Sequence, residues 1–92
     1  MILSFRDAET KKIFDTGKSR RFGFIARPAV RRLGELDFAR TLDELRTIPG
    51  HRLEALKGDR KGQYSIRIND RYRLCFKWDG RDAHDVEIVD YR

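Results

Sequence analysis

The spacing of apolar residues changes once along this chain, and that change limits the possible folds more than any other feature. Up to Gly50 the apolar residues recur every three or four positions. Beyond it they recur every second position. A helical half followed by a strand half, in 92 residues, leaves room for one core and one domain, spanning residues 1–92. The pattern implies an α+β layer fold, with two N-terminal helices packed on a mostly antiparallel, four- to five-stranded sheet.

Local signals place the elements. Ile2-Leu3-Ser4-Phe5 has the composition of a short first strand. Asp7 is a helix N-cap and Gly17 a C-terminal glycine, with Ala8, Ile13 and Phe14 expected inside and Thr10 and Lys11 outside. Lys18-Ser19-Arg20-Arg21 is a basic, turn-like connection. A second helix starts near Pro28 and carries Val30, Leu33 and Leu36, and Leu42, Leu45 and Ile48 extend the period as a separate short turn. Leu53 and Leu56 end a short strand. Lys57-Gly58-Asp59-Arg60-Lys61-Gly62 is a polar loop bounded by glycines. Tyr64, Ile66 and Ile68 alternate with Ser65, Arg67 and Asn69. After the Asn69-Asp70 turn, Tyr72, Leu74, Phe76 and Trp78 alternate with Arg71, Arg73, Cys75 and Lys77. Asp79-Gly80 turns the chain into a last strand marked by Val86 and Ile88.

Charge then bears on function. The formal net charge is +6. Residues 52–77 hold eight Lys/Arg against three Asp/Glu, a net of +5, whereas residues 78–92 hold two against five, a net of −3. Side chains two apart on a strand share a face, so Arg67, Arg73 and Lys77 lie in phase beside the loop cations Lys57, Arg60 and Lys61. Uncompensated like charges on one face require an anionic partner, and RNA is the expected polyanion. One cysteine, Cys75, excludes an internal disulfide and a cysteine-rich zinc site, and without a histidine partner it is not a nucleophile. His51, after Pro49-Gly50, is expected to be an exposed turn residue, and His84 a surface residue. Tyr64 and Tyr72 are expected in the core. The loop at Lys57–Gly62 lacks the spacing of a nucleotide-binding phosphate loop. No apolar run reaches a membrane span and no signal peptide precedes the first segment, so a reducing cytoplasm is the expected location.

The run Arg52-Leu53-Glu54-Ala55-Leu56-Lys57-Gly58-Asp59-Arg60-Lys61-Gly62, with Tyr64 to Asn69 and Tyr72 to Phe76, closely resembles the HigB toxins, the plasmid-maintenance branch of the RelE superfamily. The ending Val86-Glu87-Ile88-Val89-Asp90-Tyr91-Arg92 is similar to that family's last strand, and the opening five residues and Thr16-Gly17-Lys18 also match. The resemblance implies a RelE-like, microbial-RNase-like fold and a type II toxin that cleaves mRNA on the translating ribosome, with no metal or other cofactor. It also implies a HigA-type helix-turn-helix antitoxin, through which alone the toxin meets DNA, and no membrane partner.

Carried onto this chain, the resemblance puts Lys57, Arg60 and Arg73 on the phosphate side of the site and Tyr91, preceded by Asp90, at the C-terminal aromatic position. Lys61, Arg67, Arg71 and Lys77 complete the RNA-binding surface. Glu54 stands where some members carry a histidine base, and Arg92 replaces the usual final histidine. Glu54 fills the base role if partly buried, and Tyr91 if nearby cations stabilise its phenolate. The competing reading is a non-catalytic RNA- or ribosome-binding module on the same scaffold. A DNA-binding regulator is disfavoured because no recognition-helix pattern is present.

Overall fold

The computed structural model describes residues 1–91. Helix α1, Ala8–Thr16, begins at Asp7, whose Oδ2 accepts the Thr10 N–H at 3.1 Å. It ends at Gly17, where a φ of 73° turns the chain out and lets the Gly17 N–H reach the Ile13 carbonyl at 2.9 Å. A 3₁₀ turn, Gly23–Ile25, leads into α2, Ala26–Phe38, with Pro28 in its first turn. Helix α3, Leu42–Thr47, is capped by the Thr41 hydroxyl on the Glu44 N–H, while the Glu44 carboxylate accepts from the Arg40 N–H.

Four strands follow: β1 (Glu54–Ala55), β2 (Gln63–Arg67), β3 (Tyr72–Trp78) and β4 (Ala83–Asp90). They form an antiparallel meander in the order β1-β2-β3-β4. The expected N-terminal strand is reduced to two parallel bridges, Ile2 with Ala83 and Phe5 with Val86, which lay the opening residues along the outer edge of β4. The helices cover one sheet face. Ile13, Ala29, Leu33 and Leu36 meet Ile66, Leu74, Phe76 and Ile88 in a single core. Each large member contributes about 1.5–3 kcal/mol by leaving water.

Several placements differ from the sequence reading. In α2 the inward stripe is Ala29-Leu33-Leu36, spaced four and three apart, which rotates Val30 outward. In α1 Ala8 is exposed and Thr10 is fully buried. The Thr10 hydroxyl donates to Asp7 Oδ1 and accepts the Ile88 N–H, so its polar atom is satisfied inside. His51 is buried, not exposed, because its ring is drawn under α2 by Glu35 at 2.8 Å. Tyr72 is core as expected, whereas Tyr64 is only half-buried and packs on the edge of the core with its ring 6.2 Å from that of Phe76. No helix among the described residues is long and apolar enough to cross a membrane.

Candidate active site

The sheet face turned away from the helices is organised by strand register. Glu54 pairs with Ser65, Ser65 with Cys75, and Cys75 with Glu87, giving one row of side chains across all four strands. The neighbouring row holds Arg67, Arg73 and Val89. Side chains opposite one another in a register share a face, so these rows form a single surface.

Arg73 is its centre. Only 9% of it is exposed. Its Nε donates to the Ser65 hydroxyl at 2.7 Å, and its Nη2 donates to the Arg52 carbonyl at 2.6 Å and the Ser65 carbonyl at 3.3 Å. Arg52 carries that carbonyl from a strained backbone with φ of 45°. The guanidinium of Arg73 lies 5.7 Å from the centre of the Tyr91 ring, a cation–π contact. Arg60, at the end of the 3₁₀ turn Gly58–Arg60, donates to Glu87 at 2.6 Å and Gln63 at 3.2 Å. The Glu87 hydrogen bond raises the affinity of Arg60 for its proton. Burial pushes the Cys75 thiol up to about 11, well above its ordinary value.

The structure therefore brings Glu54, Arg60, Arg73 and Tyr91 to one face. Other expected site residues stand apart. Arg71 grips Asp90 from the sheet edge, with Nε at 3.0 Å and Nη2 at 2.7 Å from Oδ2. Arg67 pairs with Asp70 in the adjoining turn, and Lys77 pairs with Asp85 at 3.1 Å. Lys57 and Lys61 are exposed on the loop and form no ion pair among the described residues. Arg92 lies outside the described residues.

Two expectations are corrected. The in-phase cations of the face are not uncompensated: carboxylates from turns and from β4 neutralise Arg60, Arg67 and Lys77, and Arg73 is held by neutral acceptors. Glu54 is exposed, so the burial condition for its role as a base is not met. Sequence reasoning also passed over Glu87 and Ser65. Parity on β4 carries the missing signal, because Glu87 is out of phase with the core residues Val86 and Ile88 and so shares the face of Arg73.

Helices on one side of an open four-stranded antiparallel meander are the fold of the RelE-like toxins. A solved YoeB/ParE toxin from Agrobacterium tumefaciens superposes over the full length of both chains with a TM-score of 0.52 at 19% identity, a likeness of fold. The particular family follows from sequence comparison. Residues 3–92 match the family model described as the RelE-like toxin of type II toxin-antitoxin system HigB, and the chain belongs to this HigB-like toxin family. Toxin HigB-1 of Vibrio cholerae is 39% identical over 80 residues, covering 85% of this chain and 84% of that protein. Endoribonuclease HigB of Proteus vulgaris is 35% identical over 95 residues, covering 99% of each.

Proposed function

We propose that this toxin is an endoribonuclease that cuts mRNA on the translating ribosome in the cytoplasm, and that a HigA-type antitoxin restrains it. The observation that carries the reading is the preorganised guanidinium of Arg73. Ser65 and the Arg52 carbonyl fix its plane, and Tyr91 lies against it. A cation held before substrate arrives costs no reorganisation when charge develops on a phosphate.

RNA supplies its own nucleophile. The 2′-hydroxyl oxygen attacks the adjacent phosphorus, the P–O5′ bond breaks, and a 2′,3′-cyclic phosphate and a 5′-hydroxyl end result. One proton leaves the 2′-hydroxyl and one is delivered to the departing 5′ oxygen. Arg73 and Arg60 hold the phosphate oxygens through the five-coordinate state, Arg60 by exchanging Glu87 for the substrate. Tyr91, flanked by these two cations, is the proton-transfer and base-stacking group. Glu54, exposed at the rim of the same row, takes no part in the proton transfers, which fall to Tyr91, and Lys57 and Lys61 draw in the strand. Asp90 holds Arg71 in place beside Tyr91.

Induced expression with mapping of transcript 5′ ends tests the proposal. New 5′-hydroxyl ends inside translated regions, absent from Arg73→Ala and Tyr91→Phe, are the expected result. Growth arrest with intact mRNA would overturn it in favour of a non-catalytic ribosome-binding role.

A further inference from the structure

The densest positive charge on this protein is not on the sheet face. From Thr16 to Gly34 the chain carries six cations (Lys18, Arg20, Arg21, Arg27, Arg31 and Arg32) and no carboxylate. Arg31 and Arg32 pair with Glu35, at 3.8 and 2.9 Å. Lys18, Arg20, Arg21 and Arg27 form no ion pair among the described residues. The sheet-face cations mostly hold their own carboxylates, whereas those of the α1–α2 connection are left uncompensated.

The same connection presents an aromatic ring to solvent. Phe24 is 68% exposed, although its ring edge meets Tyr72 at 5.6 Å. The backbone beneath it is fixed. Ser19 accepts the Phe22 N–H at 2.9 Å and donates to Glu9 at 2.8 Å, and the Ile25 N–H reaches the Phe22 carbonyl at 3.0 Å. A ladder of rings and guanidinium groups then runs towards the site. Arg21 lies over Phe22 at 5.1 Å, Phe22 meets Tyr72 edge-on at 6.2 Å, and Arg71 lies over Tyr72 at 5.2 Å. The Arg71 carbonyl accepts the Tyr91 N–H at 2.7 Å. Phe24, through the Tyr72 ring, and Tyr91, through the Arg71 carbonyl, both exposed aromatics, thus adjoin the same Arg71-Tyr72 step.

We infer that the α1–α2 connection is a second RNA-contact surface, on which single-stranded RNA flanking the cleaved phosphate stacks a base on Phe24 and sets its phosphates against Lys18, Arg20 and Arg21. The inference rests on the reading of the sheet face as an RNA site. An exposed, rigidly held aromatic among uncompensated cations is the arrangement that binds single strands without sequence preference, since every base has a stacking face and every nucleotide a phosphate.

The test uses fluorescence anisotropy with purified toxin and 2′-O-methyl RNA, which cannot be cut, in lengths of about 4 and about 12 nucleotides. Wild-type protein binds the longer strand about tenfold more tightly. Phe24→Ala removes most of that advantage while leaving the short-strand affinity unchanged, and Phe24→Trp keeps it. Thermal melts confirm that both variants fold. Equal affinity for the two lengths, or an advantage that survives Phe24→Ala, overturns the inference. So does loss of antitoxin binding by Phe24→Ala with the length advantage intact, which assigns the patch to a protein partner. Failure of the catalytic reading is separable: a length advantage that depends on Phe24, in a protein that makes no cuts, removes catalysis and keeps the surface.

Discussion

The Nη2 of Arg73 donates to the carbonyl oxygen of Arg52 at 2.6 Å, tying the centre of the sheet face to the segment that leads into β1. Arg52 follows His51, whose carbonyl accepts the Arg67 N–H and whose ring is anchored on Glu35. The guanidinium of the site is thereby oriented from the helical layer, through a connection of three residues.

If Arg73 acts through its orientation, charge alone will not substitute for it. Arg73→Lys keeps the charge but loses the planar fork that holds Ser65 and Arg52 together. Cleavage by Arg73→Lys is expected to fall about 100-fold, close to Arg73→Ala, and by Ser65→Ala about tenfold, the equivalent of one hydrogen bond from a charged donor at the weak end of its range. Single-turnover rates check this. A Lys variant near wild-type activity would contradict it.

Removal of the carboxylate that neutralises Arg60 is expected to strengthen RNA binding. Glu87→Gln preserves shape and a hydrogen-bond acceptor but frees one charge. Affinity for RNA rises because Arg60 no longer gives up a carboxylate to meet the phosphate, and the slope of log affinity against log salt steepens by about 0.7, the value for one more uncompensated cation set against a single strand. Titrations at several salt concentrations measure it, and an unchanged slope would show that Arg60 does not meet phosphate.

The His51–Glu35 contact makes stability depend on acidity. Burial holds the His51 ring below its ordinary 6.5, against the opposing pull of Glu35 and with the help of Arg32. The unfolded chain therefore takes up a proton that the folded one resists, and stability falls as pH drops below about 6.5. Burial alone would raise the Glu35 carboxyl, but the hydrogen bonds from His51 and Arg32 hold it below 4.5, so its contribution disappears at lower pH still. Urea midpoints across this range should slope downward towards acid, and His51→Gln should flatten the upper part. His51→Ala is expected to cost about 2–4 kcal/mol, from a cavity and an unpaired Glu35.

Cys75 is expected to be inert. Its thiol is fully buried and titrates at about 11. Iodoacetamide at pH 8 should modify the unfolded protein readily and the native protein slowly, and Cys75→Ala should retain cleavage. Fast native labelling would show that the face opens.

Much of this molecule was legible before folding was considered. The change of period at Gly50, the Asp7 and Gly17 caps and the alternation from Tyr64 to Trp78 are short-range signals, and each led to the observed element. Periodicity also put Arg67, Arg73 and Cys75 on one face. It did not reveal which charges remain available. Glu87 reaches Arg60 across 27 residues, Glu35 reaches His51 across 16, and Arg73 reaches the Arg52 carbonyl across 21. Net charge along the chain pointed to residues 52–77, yet there Arg60, Arg67, Arg71 and Lys77 hold carboxylates, while Lys18, Arg20 and Arg21 between α1 and α2 hold none among the described residues. The amino-acid order alone determined the layers and the parity of each strand, because those depend on neighbours a few positions apart. Tertiary structure alone decided which histidine is buried and which cations are neutralised, because Coulomb and hydrogen-bond energies depend on separation in space, which chain order does not encode.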